Sequence, residues 1–317
     1  MKKTGLLLLL ILVGMASAQT EAAPANAGNP DGTIANNANF PTIQVTKPTY
    51  ADLYCAGFVS KQLLPNANFV AGGLQTPSTT KYVNGDLVYL SGSGYQVGQQ
   101  FTVIRELKDT NRFELFHGQF NLLKASGQPY AEQGRVRIVD TRNKMAIAQV
   151  EYSCDPVNPG DFVIPFVDKQ NISFQQPHTF DRFLPAGNHI SGRIILAKDF
   201  DSELGTGAKV YLNIGSNQGV QIGTYFRAFR RYEEDLQDPV DSLSFKASVS
   251  EDTQKKQPSF EPTMFTKGSG PQIHVHDLPR RSVGEIVIVG VTPTTATGMI
   301  TSSLEDVHVG DGVELEQ

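Results

Sequence analysis

Residues 205–232, GTGAKVYLNIGSNQGVQIGTYFRAFRRY, decide the fold. This stretch contains two segments rich in strand-forming residues, separated by a connection of glycine, serine and asparagine. We expect the two segments to form a β-hairpin. Side chains alternate along a strand, so Tyr225, Arg227 and Arg231 share one face of the second segment, while Phe226 and Arg230 share the other.

The same pattern of strand and turn residues occurs earlier, in residues 85–105. Gly98 and Gly223 stand at equivalent places in the two copies, an offset of 125 residues. Gly134 and Gly284 also correspond, and here the offset is 150. A chain that repeats one strand pattern in this way contains two copies of one β module.

The change of offset indicates one insertion of 25 residues in the second copy. Residues 236–280 contain it and are rich in serine, lysine, glutamine and proline. A long insertion in a surface hairpin adds little loop-closure entropy. We therefore predict a disordered surface insertion here.

The rest of the chain consists of short, evenly spaced strand patterns with no long helical period. This is typical of an all-β protein, here two related small barrels of SH3-like or similar type. Residues 52–59 and 113–117 are among the predicted strands. The predicted organisation is a signal peptide (1–18), a disordered leader (19–45), a first barrel (46–166), a linker (167–190) and a second barrel (191–317).

The N-terminus predicts export. Lys2 and Lys3 precede a short apolar run, and Ala16-Ser17-Ala18 provides the small residues that signal peptidase recognises. The apolar run is shorter than the ~20 residues a transmembrane helix needs. We expect a periplasmic or extracellular protein with no transmembrane segment after cleavage.

The charge balance argues against nucleic acid as a partner. Without the two lysines of the signal peptide, 25 basic and 32 acidic residues remain, a net charge of −7. Nucleic-acid-binding proteins carry a basic stripe instead.

The chain has two cysteines, Cys55 and Cys154. In an exported protein such a pair favours a disulfide, although two buried free thiols or a reactive cysteine are alternatives. The bridge would join the start of the first barrel to its end.

The second module carries residues that match a known group of proteins. They are Gly192-Arg193-Ile194, then 210–215 with Gly219, Ile222-Gly223 with Arg227, Gly284-Glu285-Ile286, and the terminal 309–313. With these residues it resembles the C-terminal β domain of flagellar assembly protein T. It is also similar to the barrel-like region that follows LysM modules in exported bacterial envelope proteins. The resemblance implies a non-catalytic structural or interaction module near peptidoglycan, but the chain has no LysM motif.

The candidate reaction centres have simpler interpretations. His274 and His276 share a face that would suit zinc, but no third histidine is near in the sequence. Residues 205–209 lack the spacing of a phosphate-binding loop and precede a strand. The aspartates of three Gly-Asp pairs (Asp86, Asp161 and Asp311) are assigned to turns. We expect no enzymatic activity, cofactor or metal.

The leading hypothesis is therefore an exported, non-enzymatic envelope protein that acts by protein interaction. The alternative is a protein that binds peptidoglycan or another polysaccharide, so the expected partner is an envelope protein or peptidoglycan. Interfaces favour tyrosine and arginine. The candidate interaction surface is formed by Tyr211, Tyr225, Arg227, Arg231 and Tyr232.

Overall fold

A computed structural model describes residues 44–108, 113–175, 182–183, 185–187, 189–231 and 279–316. The described residues belong to one compact unit and form two closed six-stranded β-barrels. The predicted signal peptide, most of the predicted leader, Tyr232 and nearly all of the insertion lie outside the described residues, as does the His274–His276 pair.

The first barrel closes on itself through antiparallel pairs in the ring order β5-β4-β7-β2-β3-β6. Its elements, with two helices and one extra strand, are α1 (Tyr50–Tyr54), β1 (Phe58–Ser60), β2 (Phe69–Gly73), β3 (Leu87–Ser91), β4 (Gln100–Glu106), α2 (Gln119–Ser126), β5 (Gln128–Arg142), β6 (Met145–Ser153) and β7 (Phe162–Pro165). Strand β1 pairs with the start of β5 and lies outside the ring.

The second barrel has the same ring order, β12-β11-β15-β8-β10-β13. Its elements are β8 (Ser191–Ala197), β9 (Glu203–Leu204), β10 (Lys209–Leu212), a 3₁₀ helix (Ser216–Gln218), β11 (Tyr225–Arg230), β12 (Arg281–Val291), β13 (Ala296–Ser303), β14 (Val307–His308) and β15 (Gly312–Leu315). The short strands β9 and β14 pair with each other beside the barrel.

The predicted repeat is confirmed strand by strand. Tyr89 of β3 pairs with Ile147 of β6, and Tyr211 of β10 pairs with Thr297 of β13 in the same register. Strands β2 to β7 thus correspond to β8, β10, β11, β12, β13 and β15. Alternation fills each barrel with apolar side chains, including Val88, Leu90 and Val136 in the first and Val210, Phe226 and Ile286 in the second.

The expected hairpin is wrong, although both of its strands exist. Strands β10 and β11 are three places apart in the ring of six and therefore lie on opposite sides of the barrel. The glycine-rich connection between them crosses one end of the barrel, where Gly219 and Gly223 adopt positive φ angles of 87° and 85°. Strands β3 and β4 of the first barrel have the same relation.

Two predicted strands are instead helical or irregular. In residues 52–59, the helix α1 precedes β1 because Thr49 and Asp52 form a capping box: each side chain accepts a hydrogen bond from the other residue's backbone N–H. In residues 113–117, the Glu114 carboxylate accepts the backbone N–H groups of Gly118 and Phe120 and thereby holds the start of α2. Both helices lie between the barrels and not within a barrel wall.

Each barrel has an equivalent arginine–aspartate ion pair at one end, with the aspartate buried in both. Arg105 binds Asp161 through two hydrogen bonds of 2.7 and 2.8 Å, and Arg230 binds Asp311 through two of 2.8 and 3.0 Å. The aspartates also accept backbone N–H groups of the turn, as the structural interpretation of the Gly-Asp pairs predicts. Asp86 likewise accepts the N–H of Val83. The arginine partners were not predicted.

Candidate interaction surfaces

Tyr211, the first member of the predicted surface, is fully buried between the two barrels. It packs with Val59, Ile195 and Leu196, and its hydroxyl donates a hydrogen bond of 3.2 Å to the carbonyl of Ala56. Burial, more than any nearby charge, raises its pKa above the ordinary tyrosine value. Tyr211 therefore faces a protein surface, but that surface belongs to its own chain.

Strand β1 is the element of the first barrel that touches this face. The hydroxyls of Thr295 and Thr297 donate to the carbonyls of Val59 and Gly57 at 2.7 and 3.0 Å. One edge of β1 pairs with β5, and these hydroxyls satisfy one carbonyl of β1 and the carbonyl of the residue just before it.

The loop that contains α2 extends this contact along the second barrel. The side-chain amide of Gln119 donates to the carbonyl of Ile195 at 3.0 Å, and Leu122 and Leu123 pack against the same apolar cluster. Phe116 packs against the core of the second barrel and lies beneath the guanidinium of Arg193. Strand β1 and the α2 loop thus dock the first barrel onto the second.

An ion pair between a buried glutamate and a partly buried lysine holds the linker at this junction. The Lys169 ammonium lies 2.6 Å from the Glu132 carboxylate and donates to the carbonyl of Leu53 at 2.7 Å. Burial raises the pKa of Glu132, while the positive charge of Lys169 opposes this effect. The second carboxylate oxygen accepts the N–H of Gly57 at 3.2 Å. These contacts account for the carboxylate as a structural group.

Tyr225 and Arg227, two further members of the predicted surface, are covered by other parts of the chain. The Tyr225 hydroxyl accepts the N–H of Gln175 in the linker at 2.9 Å, and Tyr225 packs in the cluster that joins α1 to β12. Arg227 donates to Glu316 at 3.1 Å. Neither side chain offers the exposure that a partner surface requires.

Glu285 lies beside Arg227 and Glu316 and is buried, with 2% of its surface exposed. Loss of hydration, with repulsion from Glu316 as a second cause, raises its pKa to about 7. The Thr301 hydroxyl donates to this carboxyl at 3.0 Å. The carboxyl group of Glu285 therefore resists ionisation.

Arg231 is the one exposed residue among the four described members of the predicted surface. Its guanidinium lies 5.8 Å from the centre of the Phe229 ring. Tyr232 lies outside the described residues. The five residues thus do not form one exposed surface, and partner binding by Arg231 and Tyr232 stays a prediction.

The disulfide between Cys55 and Cys154 is present. Cys154 follows the end of β6, as expected for the end of the first barrel. Cys55 lies between α1 and β1, in the segment that contacts the second barrel, so the bridge anchors that segment to the first barrel.

The first barrel has an exposed face equivalent to the buried docking face of the second. We define the acceptor face as the outward side chains of β2, β3 and β6: Phe69, Ala71, Leu87, Tyr89, Met145 and Ile147. Phe69 and Met145 are exposed by 37% and 42%, and the other four are half-buried. In the second barrel, the residues equivalent to Tyr89, Met145 and Ile147 are Tyr211, Thr295 and Thr297. Their hydroxyls donate to β1 or to the two residues just before it.

Charged and polar groups surround the apolar centre of this face. Arg142 and Asp140 form an ion pair of 2.6 Å at the end of β5, and Gln149 is exposed in the middle of β6. The Arg142 hydrogen bond is the main reason that the pKa of Asp140 lies below its usual range. An apolar centre with a polar rim is the common arrangement of a protein-binding surface. The sequence signal for this face was the alignment of Tyr89 with Tyr211.

Within the described residues, no cluster of three or more metal-ligating side chains occurs. Nor does any helix of the described ranges have the length and hydrophobicity to cross a membrane. Comparison with models of known protein families gives no match for this chain, and the search of curated proteins finds no similar sequence.

Proposed function

We propose that this chain is an exported, non-enzymatic protein of the cell envelope that acts as a structural or protein-interaction module through the acceptor face. One observation carries the proposal. The equivalent face of the second barrel is buried against protein, whereas that of the first barrel exposes Phe69, Met145 and parts of Tyr89 and Ile147. When another protein covers such a face, its apolar surface is removed from water, and this favours binding.

The location in the envelope is supported by the N-terminal sequence and by the disulfide. Lys2-Lys3, the apolar run and Ala16-Ser17-Ala18 have the order of a secretory signal. Disulfides persist in oxidising compartments, and the Cys55–Cys154 bridge is compatible with one. The resemblance to envelope barrel domains agrees with the same location.

The proposal is tested by affinity capture from the envelope fraction of cells that express a tagged chain. The variant Ile147→Glu places a charge at the centre of the acceptor face. The matched control, Val97→Glu, places the same charge on an exposed residue of the β3–β4 connection. We expect a specific protein to be captured by the wild type and by Val97→Glu, and lost with Ile147→Glu.

Circular dichroism melting would show that both variants fold. Equal capture by all three proteins would refute the use of this face. Sedimentation of the purified chain with cell-wall sacculi separates the alternative: specific co-sedimentation that survives Ile147→Glu would favour glycan binding elsewhere on the molecule.

A further inference from the structure

The chain contains its own example of what an acceptor face binds. On the second barrel, the face formed by β8, β10 and β13 is covered by β1 and the α2 loop of the first barrel. Both of these elements adjoin β5: β1 pairs with its first residues, and α2 ends just before it. One barrel therefore docks onto the next through the region around its β5 start.

The second barrel has the equivalent region at its other side. Strand β12 corresponds to β5, and near its start the N–H of Ser282 donates to the carbonyl of Arg182 at 2.7 Å. Arg182, ahead of β8, thus contacts the start of β12, as β1 contacts the start of β5. Phe183 lies in this segment and is exposed by 57%.

We propose that the acceptor face of the first barrel binds the second barrel of another copy of this chain, through the segment that contains Phe183. The proposal rests on the proposed interaction function and names its partner. The contact repeats the geometry by which the two barrels of one chain join. Because the two surfaces in contact differ, the association is head-to-tail and produces open chains or a ring of copies.

The side chains of the acceptor face set the character of this contact. Tyr89 retains the hydroxyl with which Tyr211 donates a hydrogen bond to the carbonyl of Ala56. At the positions of Thr295 and Thr297, the first barrel has Met145 and Ile147, which offer apolar surface in place of hydroxyl donors. Without a covalent linker, binding also costs translational and rotational freedom, so the association is reversible and depends on concentration.

Sedimentation velocity of the purified full-length chain tests the proposal. The wild type and Val97→Glu should show a sedimentation coefficient that rises with protein concentration. Ile147→Glu, which blocks the acceptor face, and Phe183→Asp, which blocks the second barrel, should each remain monomeric. Met145→Glu, at a more exposed position, serves as a second acceptor variant if Ile147→Glu lowers the melting temperature.

A mixture of the two blocked variants distinguishes head-to-tail association from a symmetric dimer. Ile147→Glu keeps an intact second barrel and Phe183→Asp keeps an intact acceptor face, so the mixture should form a one-to-one complex. A wild type that stays monomeric at all concentrations, or a Phe183→Asp variant that associates like the wild type, would overturn the proposal. If a different protein is nevertheless captured through the acceptor face in cells, the proposed function stands and self-association alone is rejected.

Discussion

Replacing Asp311 by asparagine should destabilise the second barrel far more than the equivalent change destabilises the first. In both barrels an arginine forms two hydrogen bonds to an aspartate at the end of the barrel. The side chains of Arg230 and Asp311 are exposed by 6% and 4%, whereas Arg105 is exposed by 31% and Asp161 by 4%. The two pairs thus differ mainly in the hydration of the arginine.

Removing one partner of a buried ion pair leaves the other charge buried without compensation, which costs about 3–5 kcal/mol. We expect this loss for Asp311→Asn. In Asp161→Asn, water reaches the guanidinium of Arg105, and the expected cost is about 1–2 kcal/mol. The double variant Arg230→Met with Asp311→Asn should cost less than the sum of its single changes, because no buried charge remains.

Urea unfolding followed by far-ultraviolet circular dichroism measures these differences, and reductant is omitted so that the disulfide stays intact. The chain has no tryptophan, so circular dichroism is preferred to fluorescence. A cost of Asp161→Asn equal to or above that of Asp311→Asn would refute the reasoning. A loss of unfolding free energy below about 1 kcal/mol for Asp311→Asn would also refute it, because the burial of Arg230 would then not determine the cost.

Three further changes have defined outcomes. Replacing Cys55 and Cys154 by serine should lower the unfolding free energy by about 4–5 kcal/mol on the chain-entropy model, since the bridge spans 99 residues; a melting temperature insensitive to reductant would contradict this. Glu285→Gln should leave stability near pH 4 unchanged. Burial raises the pKa of Glu285 from 4.5 to about 7, so the wild type loses stability as pH rises between these two values, and the variant should be the more stable by about 1–2 kcal/mol at pH 8; parallel pH profiles for the two proteins would exclude the effect. Gly57→Ala places a Cβ 2.5 Å from the Tyr211 hydroxyl at a φ of +69° and should lower the melting temperature more than Gly85→Ala, where φ is +91° and the space is open; equal losses would show that the junction yields freely.

The repeat was readable in the sequence because turns constrain residue type. Gly98 and Gly223 adopt φ angles of 89° and 85°, which glycine reaches without strain, so glycine recurs at this position in both copies. The aspartates that accept turn N–H groups recur for a similar reason. Strand alternation also placed Phe226 and Arg230 on one face, which is the barrel interior.

The order of strands around each barrel was not readable, because pairing is a long-range property. Strands adjacent in sequence, such as β10 and β11, were expected to pair, but each finds its partners elsewhere in the ring. Helix α1 was missed because it has only five residues. Its one sequence signal is the capping pair of Thr49 and Asp52 at its start. Such short elements have almost no periodicity to detect.

The exposure of the candidate surface could not be predicted from the sequence, for a different reason. Tyr89 and Tyr211 occupy equivalent positions in equivalent strands, so the local pattern around them is the same. Their different burial arises from the docking of Ala56 and β1 against Tyr211, and the hydrogen bond between Tyr211 and Ala56 joins residues 155 positions apart. Alternation identifies the outward face of a strand, but it does not show what covers that face.

The most direct test of the acceptor face is photo-crosslinking in living cells from a photoreactive amino acid placed at Tyr89. The same probe at Val97, on the exposed β3–β4 connection, provides the control. The account predicts an intermolecular product at position 89 with none at position 97, and mass spectrometry of that product identifies the partner. Equal yields at both positions, or no intermolecular product at position 89, would contradict the claim that this protein acts through the acceptor face.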